Sequence, residues 1–166
     1  MSLLAREGID AVRVEPLAER LGVTKGSFYW HFKDRAALHA AMLEAWRGVA
    51  TYEIIARLEA GGPSAEERLR RLIEPTASRG KAGRLETAIR SWAHNDAAAA
   101  KVVAGIDEER IAYVAQLLRE MGIDPETALL RTKILYLALI GSFFAAQSDQ
   151  LQAGPELWKE IMRLIK

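Results

Sequence analysis

The chain has 166 residues, enough to bury a sizeable hydrophobic core, with 50% hydrophobic and 27% charged residues as in ordinary globular proteins. It contains no cysteine, which excludes disulfides and thiolate metal sites, and its three histidines lack the spacing of metal ligands. The net charge of +1 neither indicates nor excludes a nucleic-acid partner by itself.

The sequence predicts neither a secretory signal nor a membrane-spanning helix. The first residues lack a basic start followed by a long apolar run. The longest apolar stretch, residues 134–146, has 13 residues and includes Ser142, whereas a membrane helix needs about 20. We therefore expect a cytoplasmic protein without a membrane partner.

The N-terminal region is predicted to contain three short helices. Residues 1–7 form the end of a first helix that Gly8 closes, and a second helix covers residues 14–21, with Pro16 tolerated in its first turn. A third helix follows over residues 25–31. The apolar side chains expected to point inward are Leu17, Leu21, Val23 and Phe28.

The second and third helices have the pattern of a helix-turn-helix. Ala18 is small enough for two helices to cross closely, Gly22 suits a turn with positive φ, and Thr24 can cap the third helix. In such motifs the second helix lies in the DNA major groove. Between residues 20 and 35 four cations stand against one acid, which indicates either a phosphate-binding face or simply a solvated helix surface.

Helical patterns continue to the C-terminus, and no strand-like alternation is found. A long helix begins at Asp34 and ends at residues 61–62, and Ser64 with Glu67 suggests a capping box for the next. Residues 78–84 are interpreted as a solvated connection. Three further helices are predicted over 85–94, from Asp96 to Gly122 and from Asp124 onward, and a last helix begins at residues 154–155. The predicted fold is all-α.

Residues 21–38 closely resemble the helix-turn-helix of the TetR family of bacterial transcriptional regulators, above all in the run Gly-Val-Thr-Lys-Gly-Ser-Phe-Tyr-Trp-His-Phe. The resemblance covers residues 3–47 well, and the remainder is similar in helix number and spacing. It implies an N-terminal helix-turn-helix DNA-binding domain (1–47), whose first helix is shorter than usual by roughly three turns. A helical effector-binding and dimerisation domain (48–166) is expected to follow.

The resemblance also implies which residues contact double-stranded operator DNA. Lys25 and Ser27 match positions that touch base edges and phosphates, and Gly26 lets the backbone approach closely. Tyr29 matches a phosphate-binding tyrosine, while Phe28 is expected in the core; core packing is the alternative for Tyr29 and Trp30, although at least one must be exposed. The implied DNA-binding residues are Thr24, Lys25, Gly26, Ser27, Tyr29, Trp30, His31 and Lys33. Arg13 departs from the family, which usually has Thr or Ser there.

In this family two C-terminal helices pack against their symmetry mates as a four-helix bundle. The helix over residues 124–147 is too apolar to face water, so we expect burial on both sides, with an ordinary core helix as the alternative. Small residues such as Gly141 would permit close approach of a partner helix. The expected homodimer interface comprises Ile134, Leu137, Gly141, Phe144, Trp158 and Ile161.

The resemblance further implies a small-molecule pocket in the body. Four large side chains with one polar atom each are candidates for lining it, and core packing is the alternative for each: Trp92, His94, Tyr113 and Tyr136. No residue identifies the effector.

The leading hypothesis is a homodimeric DNA-binding repressor of a palindromic operator, released by a small molecule. The alternative is a ligand-binding or interaction protein of the same fold with weakened or lost DNA binding, motivated by the short first helix. An enzyme is disfavoured, because the sequence has no nucleophile elbow, no recognisable carboxylate pair and no metal motif. No cofactor is expected.

Overall fold

The computed structural model describes residues 1–61, 64–73, 81–145 and 155–164, and these residues form helices without any strand. The prediction of an all-α fold is confirmed. The helices are α1 (Ser2–Glu7), α2 (Val14–Leu21), α3 (Lys25–His31), α4 (Arg35–Arg47), α5 (Glu53–Gly61), α6 (Ala65–Ile73), α7 (Lys81–Ala93), α8 (Ala97–Glu120), α9 (Pro125–Phe144) and α10 (Pro155–Leu164). A π-helical turn, Gly48–Tyr52, joins α4 to α5.

Side-chain caps begin the helices where the sequence predicts them. The Asp34, Asp96 and Asp124 carboxylates each accept a hydrogen bond from a backbone N–H three residues later, at 2.8, 2.9 and 3.0 Å. Ser64 likewise accepts from the Glu67 N–H at 3.2 Å. The Glu67 carboxylate, however, binds two arginines of its own helix, so the reciprocal half of the predicted capping box is not formed by its side chain.

The predicted connection over residues 78–84 is partly wrong. Residues 78–80 lie outside the described residues, but α7 already begins at Lys81. Gly83 lies within this helix. A Cβ at this position would lie only 3.1 Å from the Phe143 ring, so the glycine lets α7 approach α9 closely. Gly62 and Gly154, at predicted helix boundaries, also lie outside the described residues.

Two clusters of buried side chains hold the described helices together. The first joins the N-terminal head to α7 and the start of α8, through residues such as Leu4, Phe28, Trp46 and Ile106. The short α1 packs on α7 and buries Leu3 and Leu4. The second cluster lies within α5, α6, α8, α9 and α10. The head therefore shares its core with the body.

The helix α9 is buried on one side only. Ala128, Thr132 and Leu135 face the core, whereas Ile134 and Leu137 are 64% and 71% exposed. The expectation of burial on both sides is thus not met within a single chain. Among the described helices, α9 alone is long and apolar enough to cross a membrane, although it carries the exposed Lys133 and packs against α8.

Candidate functional site

The turn between α2 and α3 has the predicted local geometry. Gly22 ends α2 with a φ of +65°, in the left-handed region that favours glycine. The Thr24 hydroxyl accepts a hydrogen bond of 3.1 Å from the Ser27 N–H and so caps α3. The prediction that Leu21 and Val23 belong to the core is wrong, since they are 71% and 41% exposed. Leu21 ends α2 and Val23 lies in the turn, so both lie beyond the point where α2 buries Ala18.

One face of α3 points inward and the remainder faces solvent. Phe28 is buried and packs against Phe32, with ring centroids 5.3 Å apart. Trp30 is 82% exposed and Tyr29 is 52% exposed, so neither has the alternative role in the core. All eight side chains or backbone positions that were predicted to bind DNA are exposed, and together they define the recognition surface: Thr24, Lys25, Gly26, Ser27, Tyr29, Trp30, His31 and Lys33.

Nothing within the described chain requires glycine at position 26. Its φ is not positive, and a Cβ there would make only an ordinary contact of 3.7 Å with the Thr24 hydroxyl. Space around this residue is therefore open to an external partner. Trp30 and His31 stack edge to face with centroids 4.8 Å apart, which holds two exposed rings beside each other at the end of α3.

The four cations near the turn have different roles. Lys25 lies 2.9 Å from the Glu15 carboxylate, and the hydrogen bond to Glu15 raises the pKa of Lys25. Arg20 pairs with Glu7 at 3.0 Å, and Arg35 donates to the backbone carbonyls of Ile9 and Val12, between α1 and α2, at 3.1 and 3.2 Å. Lys33 is exposed and has no ion-pair partner among the residues of known placement. Arg20 and Arg35 therefore support the head, and Lys25 and Lys33 belong to the recognition surface.

The chain encloses a cavity of about 640 Å³ between α4, the π-helical turn and the helices α5 to α10. Tyr113 and Tyr136 line it, as predicted residues of the pocket. Other lining side chains are mainly apolar and include Trp46, Ile54, Leu72, Val114, Leu135, Leu139, Phe143 and Trp158. A volume of this size is within the usual range for small-molecule sites, roughly 300–1,000 Å³.

The other two predicted pocket residues do not line this cavity. Trp92 is buried in the first cluster and stacks edge to face on His39, with centroids 4.9 Å apart. His94 is exposed just after α7. Both lie at the end of α7 that faces the head, whereas Leu85 and Glu86, about two turns earlier, reach the cavity.

A buried polar network forms one wall of the cavity. The Arg110 guanidinium donates to both oxygens of the Glu86 carboxylate at 3.0 and 3.3 Å. Arg90 donates to Glu86 at 2.9 Å and to Asp107 at 2.6 Å. The Tyr136 hydroxyl donates to Asp107 at 2.6 Å, and burial raises the pKa of Tyr136 to about 12. Two arginines and two carboxylates thus balance one another around the buried Glu86, while the other three members are partly exposed.

The same network binds the junction between the head and the body. Arg110 Nε donates to the Thr51 hydroxyl and its Nη2 to the Ala50 carbonyl, both at 3.1 Å. Thr51 and Ala50 belong to the π-helical turn after α4, and they also line the cavity. Glu109 accepts hydrogen bonds from Arg47, just before that turn, and from Tyr52, its last residue. A molecule in the cavity would therefore contact the residues that join α4 to the body.

The predicted interface residues separate into two groups. Ile134, Leu137, Gly141 and Phe144 form an exposed stripe on α9 at intervals of three and four residues, together with Leu130. Trp158, in contrast, is only 4% exposed, packs in the second cluster and lines the cavity. It cannot contribute to an interface in this position, since α10 directs its apolar face toward the core. Ile161 is half-buried against the same cluster.

Sequence reasoning missed several residues of the cavity wall. Glu86 and Arg110 were overlooked because charged residues on helices are most often solvated, and only the packing of α7 on α8 buries them. Thr132 was overlooked because it stands between Arg131 and Lys133 and so resembles part of a solvated polar segment. Its helical spacing from the apolar Ala128 and Leu135 could have indicated that it lies on the buried face. Within the described ranges, no group of three or more histidine and acidic side chains could hold a metal ion.

Comparison with known proteins agrees with this geometry. The family model described as bacterial regulatory proteins of the tetR family matches residues 1–42. Over 45 residues, 27% of this chain, the sequence is 44% identical to the tetracycline repressor protein class A from transposon 1721 of Escherichia coli. Over 44 residues, 26% of this chain, it is 34% identical to the HTH-type transcriptional regulator AcrR of Shigella flexneri. The matched segment spans only about a fifth of these curated relatives, 21% and 20% of their lengths.

A solved structure extends the likeness of the fold to the whole chain. It is a crystal structure assigned to a TetR-family transcriptional regulator from Rhodococcus sp., with a TM-score of 0.72 and 23% sequence identity. The alignment covers 99% of this chain and 94% of that one. Residues 1–42 therefore match the tetR family of bacterial regulatory proteins, and the chain as a whole shares the fold of that solved structure.

Proposed function

We propose that this protein is a DNA-binding transcriptional regulator whose helix α3 enters the major groove. The exposure of the whole recognition surface carries the proposal. Eight positions matching the DNA-contacting positions of the family remain uncovered, while Phe28 between them anchors the helix in the core. Such an arrangement is expected when side chains must reach base edges and phosphates from a rigid helix.

The proposed roles follow from where each group lies on α3. Lys25 and Ser27, in the first turn, contact base edges and the adjoining phosphates. Tyr29 offers a hydroxyl to a phosphate, and Trp30 with His31 packs against the sugar-phosphate backbone. Lys33, beyond the helix end, reaches the next phosphate. Phosphate contacts of this kind set the position of the helix, and the contacts to bases set the sequence.

We further propose a homodimer formed by the exposed stripe of α9. Its members recur every three or four residues, and Leu137 and Ile134 are more than 60% exposed. A second copy packing by the same stripe would remove this apolar surface from water, and Gly141 would permit close helix approach. The two copies of α3 would then address a palindrome with half-sites about 34–36 Å apart or a multiple of it.

The cavity is proposed to bind a small effector that releases the operator. Ala50, Thr51 and Arg110 line it and also join α4 to α8, so an occupant can alter the position of α4. The effector then favours a dimer whose two recognition helices cannot both reach their half-sites. It can shift the equilibrium only by its difference in affinity for the two states. We propose a cytoplasmic, non-enzymatic repressor with a head of residues 1–47 and a body of residues 48–166.

The decisive experiment is a salt titration of binding to DNA flanking the gene itself. Specific binding should weaken steeply and log-linearly with salt, as counterions are released from phosphates. Lys25→Ala and Tyr29→Phe should each weaken binding, and Lys25→Ala should also reduce the preference over unrelated DNA. Lys159→Ala is the matched control, since Lys159 is an exposed lysine paired with an acid on the distant α10. Parental affinity in both α3 variants would refute the assignment of this helix.

The alternative function is ligand binding or protein interaction with weakened or lost DNA binding. It is favoured by the charges around α3, because Lys25, Arg20 and Arg35 all have partners within the chain. If this alternative is correct, no DNA fragment is preferred and the affinity remains low at reduced salt. The same titration therefore separates the two functions.

A further inference from the structure

The imidazole of His39 forms a contact between the head and the body. His39 lies on α4 and stacks edge to face on Trp92 of α7, with ring centroids 4.9 Å apart. Trp92 is 6% exposed and belongs to the first cluster, which joins the head to α7 and α8. Trp92 also donates a hydrogen bond to the Asp96 carboxylate, which caps α8. The position of α4 on the body therefore depends in part on these two stacked rings.

The packed His39 ring has no acceptor for a second proton. The ring hydrogen-bonds to the backbone of Val12, and its Nε2 atom is buried without a partner in the described part of the chain. A neutral imidazole has one N–H, and assigning this N–H to the Val12 carbonyl leaves Nε2 unprotonated. A proton on Nε2 would create a buried donor without an acceptor, which costs free energy for as long as the ring stays packed.

The charges around His39 act in opposite directions. In the described part of the chain, the charged groups that face the ring are Arg35, one turn earlier on α4, and Asp96 at the start of α8. Arg35 disfavours the imidazolium and Asp96 favours it, while α7 presents the Trp92 ring and the segment before α2 presents the backbone of Val12. Burial is the largest influence, and it lowers the pKa of His39 below its usual value of 6.5.

The direction of the pH dependence follows from this burial. Because the packed ring has a lower pKa than the same ring in water, the packed state binds fewer protons than a state in which α4 has moved away from α7. The stabilising effect of the contact is therefore fully present above about pH 7, and it is lost as the pH falls through the pKa of the packed ring. Acid thus favours separation of α4 from α7.

We propose that His39 is an acid-sensitive contact between the head and the body, whose protonation loosens α4 from α7 and thereby weakens operator binding. Neither His39 nor Trp92 lines the cavity, so this response to acid is separate from the response to an effector. The loosening of the contact can be measured without DNA. Its consequence for the operator rests on the proposed DNA-binding function.

The titration of His39 in the parent protein is the first test. The His39 imidazole resonances are identified in NMR spectra by their cross-peaks to the adjacent Trp92 ring. They should titrate at a lower pH than a histidine in an unfolded peptide, for which the midpoint is about 6.5. A midpoint at or above that value would overturn the inference, because the packed ring would then accept a proton without cost.

The stability of the fold is the second test. His39→Phe keeps an aromatic ring against Trp92 and removes the titrating group. Between about pH 7.5 and about pH 5.5 the urea midpoint of the parent should fall more steeply than that of this variant, since all other titrating groups are common to both. His94→Gln is the matched control, because His94 is an exposed histidine just after α7, and it should keep the parental slope. Equal slopes for the parent and His39→Phe would overturn the inference.

Operator affinity, measured by fluorescence anisotropy at constant ionic strength, tests the functional consequence. Over the same pH range the parent should lose at least about threefold more affinity than His39→Phe. Both proteins retain His31, so any effect of acid on the recognition surface cancels in the comparison. Equal losses would refute the control of DNA binding by His39 and leave the proposed function intact. Absence of operator binding at every pH, with the first two tests passed, would refute the DNA-binding proposal and leave the acid-sensitive contact intact.

Discussion

The Lys25 ammonium and the Glu15 carboxylate lie 2.9 Å apart, linking the first residue of α3 to the first turn of α2. Both side chains are more than half exposed, so water and salt screen their attraction. Lys25 is also the cation that we place nearest to DNA at the front of the recognition helix. In the proposed complex a phosphate would compete with Glu15 for Lys25, so we expect the ion pair to oppose binding.

Glu15→Gln should therefore strengthen operator binding. The substitution frees Lys25 and removes a negative charge that would face the duplex, so we expect affinity to rise about two- to fivefold, in keeping with a weak exposed pair. Fluorescence anisotropy at fixed salt measures the change. Glu156→Gln, which frees Lys159 from a similar pair on α10, is the control and should leave affinity unchanged. Weaker binding by Glu15→Gln would contradict the proposed place of Lys25.

Leu137→Glu should dissociate the proposed dimer. Leu137 lies at the middle of the exposed α9 stripe, and a glutamate there would have to be buried beside the same residue of a second copy. Sedimentation equilibrium should show a monomer for this variant and a dimer for the parent. Leu21→Glu is a matched control, because Leu21 is equally exposed at 71% but lies in the head. A parent that is monomeric at high concentration would contradict the interface.

Arg110→Met should destabilise the fold strongly. The substitution removes one of the two arginines that pair with the buried Glu86 and frees the carbonyl of Ala50, and breaking a buried pair costs up to about 3–5 kcal/mol of the free energy of unfolding. Chemical denaturation measures this loss. Adding Glu86→Gln should recover part of it, since Arg90 and Asp107 then remain as one cation facing one carboxylate. Additive losses in the double variant would show that the two side chains do not interact.

The cavity tyrosines should make stability fall at alkaline pH. Burial raises the pKa of Tyr113 to about 12, above its value of about 10 in the unfolded chain. The neutral form therefore stabilises the fold fully below pH 10, and this contribution is lost as the pH rises from about 10 to about 12. Denaturation midpoints across this range should decline less steeply for Tyr113→Phe than for the parent. Equal slopes would indicate that Tyr113 is not buried as described.

The α-helical fold and the position of the recognition helix could be predicted because local signals determine them. Asp34, Asp96 and Asp124 cap helices at the expected places, and the bounds of α3 agree with the prediction. Capping, glycine turns and the periodicity of apolar residues involve neighbours in the chain, so they can be recognised without knowledge of the fold. The eight positions of the recognition surface were predicted from a family pattern carried by contiguous residues, and the structure leaves all eight exposed.

Contacts between residues distant in the chain determine which side of α10 is buried. They also determine which charged side chains are buried. The sequence predicts Trp158 at an interface and Trp92 in the pocket, yet Trp158 lines the cavity and Trp92 is buried in the first cluster. Glu86 and Arg110 are 24 residues apart and meet only because α7 packs on α8. The amino-acid sequence by itself determined the helices and the recognition motif, since both are local. Only the tertiary structure decided the cavity wall, because burial and charge pairing there arise from helices brought together from across the chain.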